Sequence, residues 1–185
     1  MTETHHTAGE DIVIHKVRPQ ETGRLLQLTA TGIDERGWLA DAHSAYHDNR
    51  SPALSWSRVL EAQSFALVME DPDAPRERPF VHWMIWDIPG DATGLPAGLP
   101  NEAKIGTGEL RGAIQGRNDG GEHGYMGPRP PAGHGVHHYH FQLFALDKML
   151  GMDPSTPLSE LLNALKGNTL ASAEFVALYE APERQ

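Results

Sequence analysis

A mainly β, sandwich-like domain with little helix is the fold class this sequence predicts. Three observations point there. Two apolar runs of strand length, "SFALVM" and "FVHWMIWDIP", lack polar alternation, as strands covered on both faces do. Gly and Pro clusters, rather than long amphipathic segments, separate the apolar runs. Only the C-terminal region has convincing helical spacing.

The elements follow in chain order. Residues 1–10 are polar and are expected to form a flexible N-terminus, with 11–185 as a single domain. "DIVIHKV" carries Ile12, Ile14 and Val17 in a strand-like pattern. "GRLLQLTATGI" places Leu26, Leu28 and Ala30 on one face. After the turn at Ser51-Pro52, Leu54 and Trp56 alternate with polar neighbours. Phe65 to Met69 reads as a central strand. A second such strand is closed by Ile88-Pro89-Gly90. Leu95 to Glu122 reads as loops around a short strand, "GAIQG". Val136 to Leu146 reads as a further strand. In "STPLSELLNALKGN", Leu158, Leu161, Leu162 and Leu165 recur at helical spacing. Ser155 or Thr156 suits its N-cap, Pro157 its first position and Gly167 its stop. "LASAEFVALYE" fits either a second short helix or a closing strand.

Composition narrows function. The formal net charge of −10 disfavours non-specific binding to nucleic acid or anionic membrane, and Arg76 and Arg78 alternate with Glu77 rather than forming a basic cluster. The absence of Cys excludes disulfides, thiolate metal sites and a Cys nucleophile. No apolar run approaches the roughly 18 residues of a spanning helix. No secretory leader pattern opens the chain, so a soluble, cytoplasmic protein is expected. The 11 histidines make charge sensitive to pH below about 7. For His5, His6, His15, His43 and His47 the plain expectation is a histidine-rich surface.

Three places carry residue types suited to chemistry. In "EDPDAP", Asp71 and Asp73 leave a core strand in a proline-stiffened segment. An Asx turn explains such aspartates, and so does a rigid carboxylate site. In "VHWMIW", period two puts His82 with Met84 and Trp86, and Val81 with Trp83 and Ile85. His82 is then buried and needs a partner: a main-chain carbonyl, Asp71 or Asp73. In "GPRPPAGHGVHHYHFQLFALD", the parity of the strand puts His137 and Tyr139 at the rim of a core, facing inward. His138 and His140 face solvent. The loop before them, with Pro130-Pro131, is preorganised and allows close approach of a ligand. His137 and His138 point to opposite faces, which argues against a metal centre. No nucleophile accompanies His82 and Asp71, which disfavours a hydrolase, and no cofactor motif is present.

Together these segments resemble the phosphatidylethanolamine-binding protein family, in its bacterial and archaeal branch of Raf-kinase-inhibitor-like proteins. The matching stretches are "SPALSW", "FALVMEDPDAP", "VHWMIWDIP", "QGRND", "GYMGPRPPAGHGVHHYHFQLFALD" and "LLNALKGNTLASAEF", in the family's order from Ser51 to Glu174. The resemblance implies two antiparallel sheets with short helices on the C-terminal side. It implies a non-enzymatic pocket for phosphate, carboxylate or a phospholipid head group. Its residues here would be Asp71, Asp73, His82, Pro130, Pro131, His137 and Tyr139. One aspartate would orient His82, and protonated His82 and His137 would draw the anion more strongly as pH falls. An amine on the ligand would meet Asp73. The resemblance also allows inhibition of a protease or kinase through the same mouth, and a homodimer. "SWSRVLEAQSF" and Phe80-Val81 depart from the family pattern at the pocket's rim.

Overall fold

A computed structural model describes residues 11–20 and 25–183. The expectations for residues 1–10, including His5 and His6, lie outside these. The architecture is mainly β, with two antiparallel sheets. One sheet holds β1 (Leu28–Ala30), β2 (Leu54–Trp56) and β5 (Gly94–Leu95). The other holds β3 (Ser64–Asp71), β4 (Phe80–Pro89), β6 (Ile114–Gln115), β7 (His137–Leu146) and β8 (Thr169–Tyr179), ordered β6-β4-β3-β7-β8.

The order places β3 at the centre, between β4 and β7, which is why it carries no polar alternation. Its two faces feed different cores. Phe65, Leu67 and Met69 join Trp56, Trp83, Ile85, Tyr139 and Phe141 in the larger core. Ala66 and Val68 join Val81, Met84, Trp86 and Phe144 in a second one, closed by Leu161 and Leu165. Those two leucines belong to α1 (Leu158–Leu165). Asp71 ends β3 on the parity of Phe65, Leu67 and Met69, so its carboxylate comes out at the rim of the larger core.

Four expectations change. "DIVIHKV" is not a strand: Val13–Lys16 forms a 3-10 turn. Its main-chain N–H groups are claimed by side chains of the large sheet, Val13 by Glu70 Oε2 at 2.9 Å and Ile14 by Gln142 Oε1 at 2.7 Å. Docking onto the second core thus overrides the β-branched pattern. Secondly, the short helices that the resemblance implies reduce to α1, the sole α-helix among the described residues, while "LASAEFVALYE" takes its strand alternative within β8, which pairs with β7 along its length. Thirdly, α1 begins one residue late. Pro157 is its N-cap, and Ser155 instead donates to Asp153 Oδ1. Gly167 does stop the helix, at φ +78°. Finally, His43 is buried, bonded through Nδ1 to the Arg50 carbonyl at 2.7 Å.

Glu70 is itself buried beneath that N-terminal turn, and burial is the main cause that raises its carboxyl above the ordinary carboxylate range. The folded chain therefore holds this proton more readily than the unfolded one. Stability from this group is full below about pH 4.5 and is lost as pH rises through the raised folded value. Glu70→Gln keeps the acceptor for Val13 N–H and removes the titration. Thermal melts at pH 5 and pH 8 should show the variant gaining on the parent at the higher pH. An unchanged gap would count against a raised Glu70.

Candidate functional site

Asp71, at the end of β3, does two things. Its Oδ1 accepts the Asp73 N–H at 2.8 Å, the Asx turn that its position before Pro72 suggests. Its Oδ2 meets His137 Nδ1 at 2.7 Å, with both side chains buried. A carboxylate accepts, so Nδ1 carries the proton and His137 turns Nε2 away from Asp71. His134 Nδ1 lies 2.7 Å from that Nε2. The result is a line of three groups, Asp71, His137 and His134, running from the sheet to the loop.

His82 is held differently from either aspartate pairing. Its Nδ1 donates to the Met126 carbonyl at 2.7 Å, and the Met126 N–H returns a bond to the His82 carbonyl at 2.9 Å. Nε2 is left as a lone pair. The face of His82 also differs from simple alternation. The pairing of β3 with β4 slips between Met69–Trp83 and Glu70–Val81, so His82 sits in a β-bulge. The bulge separates His82 from Met84 and Trp86 and turns it toward the Tyr139 ring, 5.2 Å away edge to face. Burial lowers the His82 pKa more than the Met126 bond raises it. Burial thus biases His82 toward its neutral form and works against the positive charge expected of it.

Tyr139 lies on β7 facing the larger core, as its parity requires, and is fully buried. Its hydroxyl meets no partner at hydrogen-bond geometry among the described residues, and the Asp71 carboxylate is its near neighbour. Burial, followed by the nearby Asp71 charge, pushes its pKa up, so it remains a phenol with a proton to give.

These groups surround a cavity of about 330 Å³, lined by Asp71, His82, Pro130, Pro131, His137 and Tyr139. Six of the seven residues expected at the site are therefore together. The seventh, Asp73, is not in the lining. Its Oδ2 accepts from both the His138 main-chain N–H, at 2.8 Å, and His138 Nδ1, at 2.7 Å. That places it beside an outer groove with His138 and His140. Solvent exposure holds for His138. His140 is half-buried, 3.3 Å from Glu174 Oε2. Among the described residues no three His, Asp or Glu side chains gather as a metal site.

The sequence reading missed the two guanidinium groups that also line the cavity, Arg76 and Arg129. Arg76 Nη1 bonds Asp119 Oδ2 at 3.0 Å, and its guanidinium lies 5.4 Å above the Phe80 ring. Asp119, from "QGRND", also accepts the Val81 N–H at 2.9 Å and so fixes Arg76 to β4. Arg129 lies 5.8 Å from the Tyr46 ring centre, and Tyr46 donates to the Pro130 carbonyl. The available signal was local: each Arg stands beside a proline inside a box already singled out, "DAPR" and "GPRPP".

The fold has counterparts among known proteins. The family model for phosphatidylethanolamine-binding protein matches residues 23–180. A protein of Methanothermobacter thermautotrophicus, named UPF0098 protein, is 39% identical over 155 residues, spanning 83% of this chain and 98% of that one. The crystal structure of Escherichia coli YbcL, described as a member of the mammalian PEBP family, superposes with a TM-score of 0.74. It is 34% identical and covers 85% of this chain and 99% of its own. A phosphatidylethanolamine-binding protein homologue from Chlamydia trachomatis also has a TM-score of 0.74, at 31% identity, covering 85% and 98%. No helix among the described residues is long and apolar enough to cross a membrane.

Proposed function

The chain belongs to the phosphatidylethanolamine-binding protein family, and from that premise we propose that it is a non-enzymatic seat for a small oxyanion, a phosphate or carboxylate group. The observation that carries this reading is the Tyr139 hydroxyl, buried and unpartnered at the wall of a 330 Å³ cavity. A buried hydroxyl without a partner costs about 1–3 kcal/mol. An anion oxygen entering the cavity would remove that cost. The Arg76 and Arg129 guanidinium groups offset the Asp71 charge at the mouth. The His82 lone pair can accept a hydrogen bond from a ligand hydroxyl or a water. His137 is aligned by Asp71, as an imidazole is by a carboxylate at many binding sites.

A binding role fits better than turnover. The imidazoles of His82 and His137 are held by a carbonyl, a carboxylate and another imidazole, and no Ser or Thr hydroxyl among the described residues bonds to either. The seat is small, so dissociation constants between about 10 μM and 10 mM are expected.

Tyr139→Phe tests the reading, with NMR following inorganic phosphate at pH 7.5. The variant should bind about tenfold more weakly, because a hydrogen bond to a charged group is lost. It should be no less stable than the parent, since the hydroxyl it removes has no partner. Phosphate binding equal to the parent would exclude Tyr139 as the donor. If the parent itself shows no shift at about 10 mM phosphate, the oxyanion reading fails. A protein partner entering the same mouth then takes its place.

A further inference from the structure

The charges around the cavity are not those that an ethanolamine head group needs. A head group of that kind is zwitterionic, and its ammonium wants a carboxylate. Asp71 is buried, with Oδ1 committed to Asp73 N–H and Oδ2 to His137. Asp73 is outside the cavity and doubly engaged by His138. Ring faces are a second way to hold an ammonium, but the guanidinium of Arg76 already lies over Phe80. What remains for it is the His82 lone pair and an Asp71 carboxylate whose two oxygens each already accept one bond.

Donors, by contrast, are plentiful. Arg76 and Arg129 both line the cavity, and each is steadied by an aromatic ring. Asp119 shares its charge with Arg76 and Arg78, at 3.0 and 3.6 Å. Arg129 has no carboxylate partner among the described residues. The Tyr139 hydroxyl is a third donor, deeper in. Two cations and a phenol match three terminal oxygens carrying up to two charges. A phosphate monoester has these. A phosphodiester has two terminal oxygens and one charge.

We propose, resting on the oxyanion reading above, that this chain selects a terminal phosphomonoester without a neighbouring ammonium, over a phosphodiester or an ethanolamine head group. Arg129 is the main specificity residue. Its guanidinium is free to form a paired bond to phosphate oxygens, which the Asp119-bound Arg76 is less able to do.

The test is calorimetric titration of the full chain at pH 7.5 and low salt with three probes. They are propyl phosphate (the monoester), phosphorylethanolamine (its analogue with an ammonium) and dimethyl phosphate (the diester). Propyl phosphate should bind about fivefold tighter than phosphorylethanolamine and about tenfold tighter than dimethyl phosphate. Arg129→Gln should weaken propyl phosphate about fivefold and narrow both gaps. Short-chain phosphatidic acid carries the same monoester on a lipid. Binding within about threefold of propyl phosphate would support a soluble monoester, and a larger gain would support a lipid-borne one. Phosphorylethanolamine or dimethyl phosphate binding as tightly as propyl phosphate would overturn the selectivity while leaving the oxyanion reading intact. No binding by any probe would overturn both.

Discussion

Asp71→Ala should cost about 3–5 kcal/mol of stability, the cost of leaving a buried charge partner or donor uncompensated. The variant strands two N–H groups at once. One is the His137 imidazole Nδ1–H, on a residue 1% exposed, and the other is the Asp73 main chain. It also frees His137 to turn, which removes the alignment of the cavity wall. Urea denaturation at pH 7.5 measures the loss. His137→Ala leaves the converse, a buried carboxylate short of one donor. The double variant should therefore cost clearly less than the two single costs added, because neither partner is then left alone. A loss below about 1 kcal/mol for Asp71→Ala, or strict additivity, would mean that the pair is not the buried unit described above.

Gly127→Ala should be nearly as damaging, through the loop instead of the sheet. A Cβ on Gly127 would fall 2.1 Å from the His43 carbonyl oxygen and 2.9 Å from the Ala45 nitrogen, both main-chain atoms that cannot swing aside. The segment is pinned there on three sides. Asn49 Oδ1 accepts the Gly127 N–H at 2.7 Å, the Pro128 carbonyl accepts the Ala45 N–H at 2.9 Å, and the Pro130 carbonyl accepts from Tyr46. Forcing a methyl into this contact costs about 3 kcal/mol. It also moves Arg129, Pro130 and Pro131 away from Tyr139, so phosphate affinity should fall at least about tenfold. Gly133→Ala is the control. Its φ is +78° but nothing lies within 4 Å of the added carbon, so only about 1 kcal/mol of backbone strain is expected. Equal effects at the two glycines would show that close approach at Gly127 is not what fixes the loop.

These two positions show what could be read from the chain and what could not. Strand parity alone was enough to turn His137 and Tyr139 inward, because β7 keeps an unbroken register with β8 from His137 to Ala145. Parity failed at His82 because one bulge resets it, and a bulge is set by the pairing of two strands. Burial of His82 was legible from its apolar neighbours, but not its partner. Met126 lies 44 residues away in sequence, on a loop with no strand pattern to locate it. Asp71 and Asp73 look equivalent in "DPDAP". They diverge because Asp71 keeps the parity of β3 and faces the core, whereas Asp73 lies beyond the strand and turns to His138. Arg76 and Arg129 were visible as residues. Their role depends on Asp119, Phe80 and Tyr46, contacts that exist only in the folded chain.

Two corrections alter the chemistry as well as the geometry. With Asp73 outside the cavity, the seat loses the carboxylate expected to greet an amine. With burial biasing His82 toward its neutral form, Arg76 and Arg129 supply positive charge at the seat that does not change between pH 5 and pH 8. An acidic chain of net charge −10 thus holds an anion by local cations and an unpartnered phenol, not by its overall field.

The most direct test is a crystal structure of the protein with inorganic phosphate at a concentration of about 10 mM, near pH 7.5. Phosphate should occupy the cavity with one oxygen roughly 2.7 Å from the Tyr139 hydroxyl and others within reach of Arg76 and Arg129. Phosphate absent from the cavity, or bound only at the outer His138 groove with Tyr139 satisfied by a protein group, would contradict the account.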